Sequence, residues 1–402
     1  MKFEPIIHSL LETDMYKFSM NQAIYHQFPS YTTTWTFKCR NKGVYFTREM
    51  VREIKDQIKA YCNLKFTDEE LDYLRTIKWL KPDYIAFLKL WHPFYEDFTI
   101  TAEGDKGLTI ETKGTWLNTS MYEIATLAIV NEVYFRMAYN YEELIADFEK
   151  RLDAKIEKLQ HSYRIGAFSE FGLRRRLSAE AQEMAVRKLR DCPHYLESTF
   201  VGTSNVYLAM KYGVKPVGTM AHEWIMGVGQ GNPKHNPAYS NYYALEAWVR
   251  EYGVLNGIAL TDTVTTDVFL KDFNLKLATL FSGVRHDSGD PYKWGIKMLD
   301  HYRKLGINPK TKTLLFSDSL DFERADKLYG YFDDDINVAF GIGTYIANDT
   351  FAEPLNIVMK TTAVNGGDVA KISDTPGKGM CKNPEYVEYL QRTLDWRMER
   401  DV

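Results

Sequence analysis

Between residues 163 and 352 the chain repeats one pattern: a short apolar run, a polar or glycine-rich turn, then an amphipathic stretch of helical period. The apolar-to-turn segments read "IGAFSEFGLR", "STFVGTSN", "KPVGTMAHE", "GIALTDT", "FSGVRHDSGDP", "TLLFSDS" and "VAFGIGT". Helical patterns such as "AEAQEMAVRKLR", "YYALEAWVREYG" and "KWGIKMLDHYRKLG" separate them. Strands that alternate with helices predict a parallel sheet. The repeat approaches the roughly eight units of a TIM-like α/β barrel; an open doubly wound sheet is the alternative.

The flanks have other textures. "TTTWTFKCR" alternates as a strand does, and Thr67 to Glu70 forms a capping box that opens a helix. "DFTITAEGDKGLTIET" predicts two strands around a Gly-Asp turn. Helical patterns follow over Thr119–Ala138 and Tyr141–Gln160. Past the last unit, "PLNIVMKTTAVNGGDVAKISDTPGK" holds two β runs around a hairpin signal, "NGG". We expect an N-terminal α+β domain over 1–140 with a helical connector to about 162, a barrel over 163–352, and a segment 353–402 that rejoins the N-terminal domain.

Composition narrows the class. The 402 residues carry 50 Lys+Arg against 54 Asp+Glu, a net −4, so bulk charge gives no sign of a nucleic-acid or membrane partner. The aromatic share of 14% supplies many rings for packing or stacking. Four scattered cysteines without a C-x-x-C pair predict neither a zinc site nor a disulfide framework. No apolar stretch is long enough for a signal peptide or a transmembrane helix. These features predict a cytoplasmic enzyme.

The unusual residues fall just after the strands: Phe171 and Arg174, Thr203 and Ser204, His222 and Glu223, Asp262, Arg285 and Asp287, Asp318, and Gly341 with Gly343. In a barrel such positions converge at the carboxyl ends of the strands, where ligands bind. A single polar residue there is commonly a helix cap; several units delivering Arg, Asp, His and Ser are not. "HEWIM" begins like a zinc-protease motif and fails at Met226. His222 is therefore a structural histidine or a base or nucleophile whose ring Glu223 or Asp262 would hold. "RHDSGDP" sets Arg285, Asp287 and Ser288 in a tight turn fit for phosphate or sugar hydroxyls. "FGIGT" lets backbone N–H groups approach a phosphate. "FGLRRR" offers Phe171 and Arg174 to a flat anionic ring. "TDMYKFSM" reads most simply as a surface helix start. Together the rim calls for a ligand with phosphates, sugar hydroxyls and a flat acidic group.

These motifs, with "LLETDMYKFSMNQAIYHQFP", "FKCRNKG" and "SDSLDF", resemble the nicotinate phosphoribosyltransferase family from about residue 9 to about 382. The resemblance implies an irregular α/β barrel with a split α+β domain built from both chain ends. It implies that nicotinate, 5-phosphoribosyl pyrophosphate and ATP are the ligands, with Mg²⁺ bridging the pyrophosphate and no metal held directly by the protein. His222 then matches a histidine that ATP phosphorylates, with Asp262 beside it. Arg285, Asp287 and Ser288 match ribose- and phosphate-holding residues, with Asp318 on the same rim. Gly341, Gly343 and Thr344 match a 5-phosphate loop, and Arg40, Lys360, Lys371 and Lys378 match phosphate-facing cations. Tyr16 and Phe171 match an aromatic clamp in which the tyrosine comes from a neighbouring subunit, implying a homodimer with a shared site. Arg174 and Thr203 belong to the same pocket. The nicotinamide-using relative carries aspartate in place of Ser204, so Ser204 is expected to donate to the nicotinate carboxylate. His286 stands where relatives vary and has no functional reading.

Overall fold

The computed structural model describes residues 3–104, 107–192, 195–375, 379 and 381–400. Its strands are β1 (Thr32–Cys39), β2 (Phe98–Glu103), β3 (Gly107–Thr115), β4 (Gly166–Glu170), β5 (Ser198–Thr203), β6 (Lys215–Pro216), β7 (Ile258–Leu260), β8 (Gly283–His286), β9 (Thr313–Phe316), β10 (Asn337–Ile342), β11 (Ile357–Val364) and β12 (Gly367–Asp368). Four helices matter to the site: α1 (Met15–Gln27), α2 (Tyr122–Ala138), α3 (His222–Gly229) and α4 (Pro384–Arg400).

The strands form two sheets. One is five-stranded, in the order β12-β11-β1-β3-β2, so both chain ends build it. Antiparallel pairing of β1 with β11 places Thr36 opposite Lys360. The turn that returns β11 to β12 holds Asn365 at φ 51° and Gly366 at φ 81°, the left-handed pair that a tight hairpin needs. The other sheet is seven-stranded and parallel, in the order β6-β5-β4-β10-β9-β8-β7. All seven apolar runs of the repeat supply its strands. It is a curled half-barrel: β6 and β7 end the order and do not pair with each other among the described residues. Pro216 lacks the N–H that a longer β6 ladder would require.

Phe168, Phe316 and Phe340 are buried in register on one face of this sheet, Phe316 stacking on Phe340 at 5.8 Å and packing on Trp294 and Phe332, and Phe168 packing on Phe322. α1 is not the surface helix its sequence suggests. Nine of its residues are buried, and its polar side chains are satisfied by distant backbone: Asn21 donates to Leu117 O at 2.7 Å and Gln22 to Trp79 O at 3.0 Å. α3 packs onto Trp116 through Gly227, where any Cβ would collide with the indole. α4 covers one end of the barrel, with Leu390 and Leu394 against Val264, Val268 and Ala370. Its buried Arg397 pairs with Asp272 at 2.6 Å and stacks 3.9 Å from the Tyr239 ring. No helix among the described residues is long and apolar enough to cross a membrane.

Candidate active site

His222 is the first residue of α3, after an N-cap alanine that offers no side-chain bond. Its Nδ1 lies 2.9 Å from Thr263 Oγ1 and its Nε2 lies 2.9 Å from Asp287 Oδ2. Lys371 Nζ also stands 2.9 Å from Nε2, and it donates to Asp262 Oδ2 at 2.8 Å. Ser288 donates its hydroxyl to the same Asp262 oxygen. Asp262 Oδ1 is 3.7 Å from Nε2 and has no hydrogen-bond partner among the described residues. The carboxylate in hydrogen-bond reach of the ring is thus Asp287, not Asp262 or Glu223.

Glu223 corrects the sequence reading most sharply. Successive helical side chains point about 100° apart, so His222 and Glu223 cannot both face the rim. Glu223 turns inward, accepting from Lys17 Nζ at 2.7 Å and from Trp116 Nε1 at 2.8 Å.

Electrostatics favour a neutral imidazole. Burial and then the neighbouring Lys371 ammonium pull the His222 pKa down to about 4, against the opposing pull of Asp262 and Asp287. The helix N-terminus also disfavours an added proton. Burial alone would raise Asp287, but the hydrogen bond from His222 and the Arg285 charge hold it well below the usual carboxylate range. Asp262 is likewise lowered despite its burial, by the Lys371 ammonium that bonds it. With Nδ1–H on Thr263, Nε2 keeps its lone pair; in the other tautomer Nε2–H faces Asp287.

The residues expected to hold the ring meet between the β4 and β10 turns. Phe171 donates its N–H to Ile342 O at 2.9 Å, and its ring lies where a Cβ on Gly341 would be. Gly343 precedes the single turn Thr344–Ala347, accepting from Ile346 and Ala347 N–H groups at 2.9 and 3.1 Å. Arg174 reaches Glu123 of α2 at 3.5 Å, and the Asp14 carboxylate and the Tyr16 phenol, which burial keeps neutral, lie close by. Tyr16 thus sits beside Arg174 of its own chain. Thr203 donates to Glu170 at 2.6 Å. Ser204 donates its hydroxyl to Asp14 at 2.6 Å, so that proton is already committed within the protein rather than free for a ligand carboxylate.

Cations line the other side. Lys360 has its pKa lowered to about 8, by burial and then by Lys371 and Arg40. Arg175 is depressed to about 10 by burial and by Arg174 and Arg40. These mutual effects place Arg40, Arg174, Arg175, Lys360 and Lys371 in one field around Asp287. Arg285 donates to Met220 O at 3.1 Å, and its buried Nε has no partner among the described residues. Asp318 accepts from Ser319 at 3.0 Å and contributes its charge near Arg175. Lys378 lies outside the described residues. His286 is buried against Trp294, 5.2 Å between centroids, with Nε2 3.2 Å from Gly289 O, and so props the turn rather than facing the cleft.

Four residues of this arrangement escaped the sequence reading: Thr263, Asp14, Arg175 and Glu170. Thr263 follows Asp262 in "LTDT", and Arg175 stands in the quoted "FGLRRR"; both motifs were visible, but not which member faces the cleft. Glu170 ends β4 and holds Thr203, Gln182 and the Gly172 N–H, with burial raising its pKa to about 7. A glutamate inside a strand carries no signal of such a role.

The half-barrel, the split sheet and the cation-lined rim with its neutral histidine define an α/β-barrel protein built to hold an anionic, phosphate-bearing ligand. The comparisons then specify which. The Nicotinate phosphoribosyltransferase (NAPRTase) family model matches residues 167–397, and the model of that family's N-terminal domain matches residues 11–131. The nicotinate phosphoribosyltransferase of Chromobacterium violaceum is 43% identical over 401 residues, covering 98% of both chains. That of Xylella fastidiosa is 43% identical over 396 residues, covering 97% of this chain and 98% of its own. The solved nicotinate phosphoribosyltransferase of Vibrio cholerae superposes with a TM-score of 0.88 at 36% identity, covering 97% of this chain and 94% of its own. A putative nicotinate phosphoribosyltransferase from Saccharomyces cerevisiae superposes at 0.90 and 35% identity, covering 98% and 100%. The chain belongs to the nicotinate phosphoribosyltransferase family.

Proposed function

We propose that the protein transfers the phosphoribosyl group of 5-phosphoribosyl pyrophosphate to nicotinate, in NAD biosynthesis, and couples this to ATP hydrolysis through a transient phosphate on His222. The observation that carries the reading is the neutral His222 ring set among Asp287, Thr263 and Lys371 at the edge of a five-cation field. With Nδ1–H on Thr263, the Nε2 lone pair attacks the γ-phosphorus of ATP; the N–P bond forms as the bond to ADP breaks and ADP takes the electron pair. Lys371 faces the new phosphate charge, and water later releases phosphate.

In the sugar transfer the C1–O bond to pyrophosphate breaks and the nicotinate nitrogen bonds to C1, through an oxocarbenium-like state. The protein's part is placement and charge stabilisation. Phe171, Tyr16 and Arg174 hold the ring. Arg285 offers its unpaired Nε, and Arg40, Arg175, Lys360 and Lys371 face the phosphates. Mg²⁺ arriving with pyrophosphate would neutralise part of its charge. Asp262 Oδ1, which has no hydrogen-bond partner among the described residues, would accept from a water that the ion carries, while Lys371, bonded to both His222 and Asp262, stands where a directly bound ion would need to lie. The resemblance supports a homodimer; sedimentation of a lone monomer would remove that part.

The test is phosphate transfer from γ-labelled ATP to the native protein and to His222→Ala, with nicotinate mononucleotide followed in parallel. Acid-labile label on the native chain alone, together with product and ADP, is the expected result. Product without label would reduce His222 to a structural residue or base; absence of both would remove the enzyme reading.

A further inference from the structure

Among the buried charges that the reaction above leaves unused, the cluster around Lys17 lies nearest to its residues. Lys17 has a fully buried side chain, yet its ammonium contacts two carboxylates, Glu123 Oε2 and Glu223 Oε2, each at 2.7 Å. It also lies over the rings of Tyr16 and Trp35, at 5.5 and 4.7 Å from their centroids. Its position in the chain is as informative as its contacts. Lys17 follows Tyr16, and Glu223 follows His222. Glu123 spends its other oxygen on Arg174, at 3.5 Å, and Glu223 spends its other oxygen on the Trp116 indole, at 2.8 Å. One ammonium therefore joins three elements: α1, which carries Tyr16; α2, whose glutamate holds Arg174; and α3, which begins with His222.

Such a cluster is a poor way to gain stability. Desolvating a lysine and two glutamates largely offsets their attraction, and apolar residues of similar volume would serve the core as well. What an ion cluster adds is direction. Each carboxylate fixes a rotamer and the rotation of its helix, and a break exposes an uncompensated buried charge. Rotating α3 enough to release Glu223 would also swing His222 off Thr263 and Asp287. Losing Glu123 would free Arg174.

We propose that Lys17, through Glu123 and Glu223, is a positioning residue that sets the Tyr16–Arg174 ring pocket and the His222 ring as one unit, so that each site senses changes made at the other. The proposal rests on the functional reading above for its kinetic form, and on geometry alone for its spectroscopic form.

Glu223→Gln keeps the side-chain size and an acceptor for Trp116 but removes one charge from the cluster. It touches neither Tyr16 nor Arg174. A cycle with Arg174→Lys should give non-multiplicative effects on kcat/KM for nicotinate, the double variant departing from the product of the singles by about threefold or more. The KM for nicotinate should rise in Glu223→Gln alone. Multiplicative effects with an unchanged nicotinate KM would overturn the proposal, since a merely structural glutamate would lower stability without coupling to Arg174. If Glu223→Gln does not fold, Glu123→Gln runs the test from the other side. It lies next to Arg174 and not next to His222, and should shift the His222 imidazole ¹⁵N signals. Unchanged His222 signals in that variant would overturn the proposal. That readout needs no turnover, so an inactive native protein would remove the functional reading and leave the cluster to be judged on the imidazole signals.

Discussion

Replacing Lys371 by methionine tests why His222 is neutral. The native ring has its pKa pulled to about 4, with Lys371 the largest charged cause after burial. The ammonium stands 2.9 Å from Nε2. At an effective dielectric near 20, a unit charge about 4 Å away is worth about 4 kcal/mol. The His222 side chain is 16% exposed, and water entering in place of the ammonium will take part of that. A retained effect of about 2.7 kcal/mol is a hundredfold in proton affinity. The substitution also strips Asp262 of its ion pair, leaving Ser288 as its hydrogen-bond donor, and the freed carboxylate adds to the attraction for a proton. Lys371→Met should therefore raise the proton affinity of His222 by about a hundredfold or more, while Lys371→Arg should leave it low. The assay is an NMR titration of ¹⁵N-histidine protein, with His222 assigned among the nine histidines by His222→Gln. In step with it, the acidic limb of phosphohistidine formation should move to higher pH. A Lys371→Met ring that still titrates near the native midpoint would refute the reasoning, leaving desolvation and the helix N-terminus as the whole cause.

Three further outcomes are expected. Because His222 holds its proton more weakly folded than unfolded, with a pKa of about 4 against 6.5, its contribution is complete above the unfolded value and disappears as pH falls through about 4. Urea unfolding should show a loss of about 3 kcal/mol across that window, smaller in His222→Gln; the lowered Asp262 and Asp287 add to the loss as they take up protons at still lower pH. Ser204→Asp places a second carboxylate against Asp14 beside the ring pocket, and should lower kcat/KM for nicotinate at least about tenfold more than for nicotinamide; equal losses on the two substrates would remove Ser204 from specificity. Gly341→Ala drives a Cβ into the Phe171 ring, and should raise the KM for nicotinate while costing about 1–3 kcal/mol in thermal unfolding; an unchanged KM would show that Phe171 does not line the ring site.

What the chain discloses on its own follows from the range of the interactions involved. A parallel strand buried on both faces must be an apolar run, and the turn after it must be polar or glycine-rich, so most of the strands and the residues at their ends were legible from a window of ten residues or so; β6, only Lys215–Pro216 and partly exposed, was marked instead by the turn that follows it. The hairpin that joins β11 to β12 was equally local, since Asn-Gly dictates its own turn. Orientation is not local. His222 and Glu223 both sit at a strand end, and only the rotation of α3, fixed by Gly227 against Trp116 and by Glu223 against Lys17, decides that the histidine faces the cleft and the glutamate the core.

The same holds for α1. "TDMYKFSM" has the polarity of a surface helix, because a lysine is cheap to place in water and costly to bury. It is buried here because carboxylates 106 and 206 residues away meet its ammonium, given that Glu123 and Glu223 lie at those separations from Lys17. Asp14 is a further instance: it reaches Ser204 across 190 residues and takes the hydroxyl proton that a local reading would assign to the substrate. On the proposed function, the nicotinate carboxylate is then drawn by the surrounding cations, Arg174 and Arg175 among them, more than by one serine. That view makes Ser204→Asp damaging through added negative charge rather than through a lost donor. It also separates two variants that the donor view treats alike: Ser204→Ala should be mild on nicotinate, and Ser204→Asp severe. Matched losses in kcat/KM for the two would restore the serine as the donor.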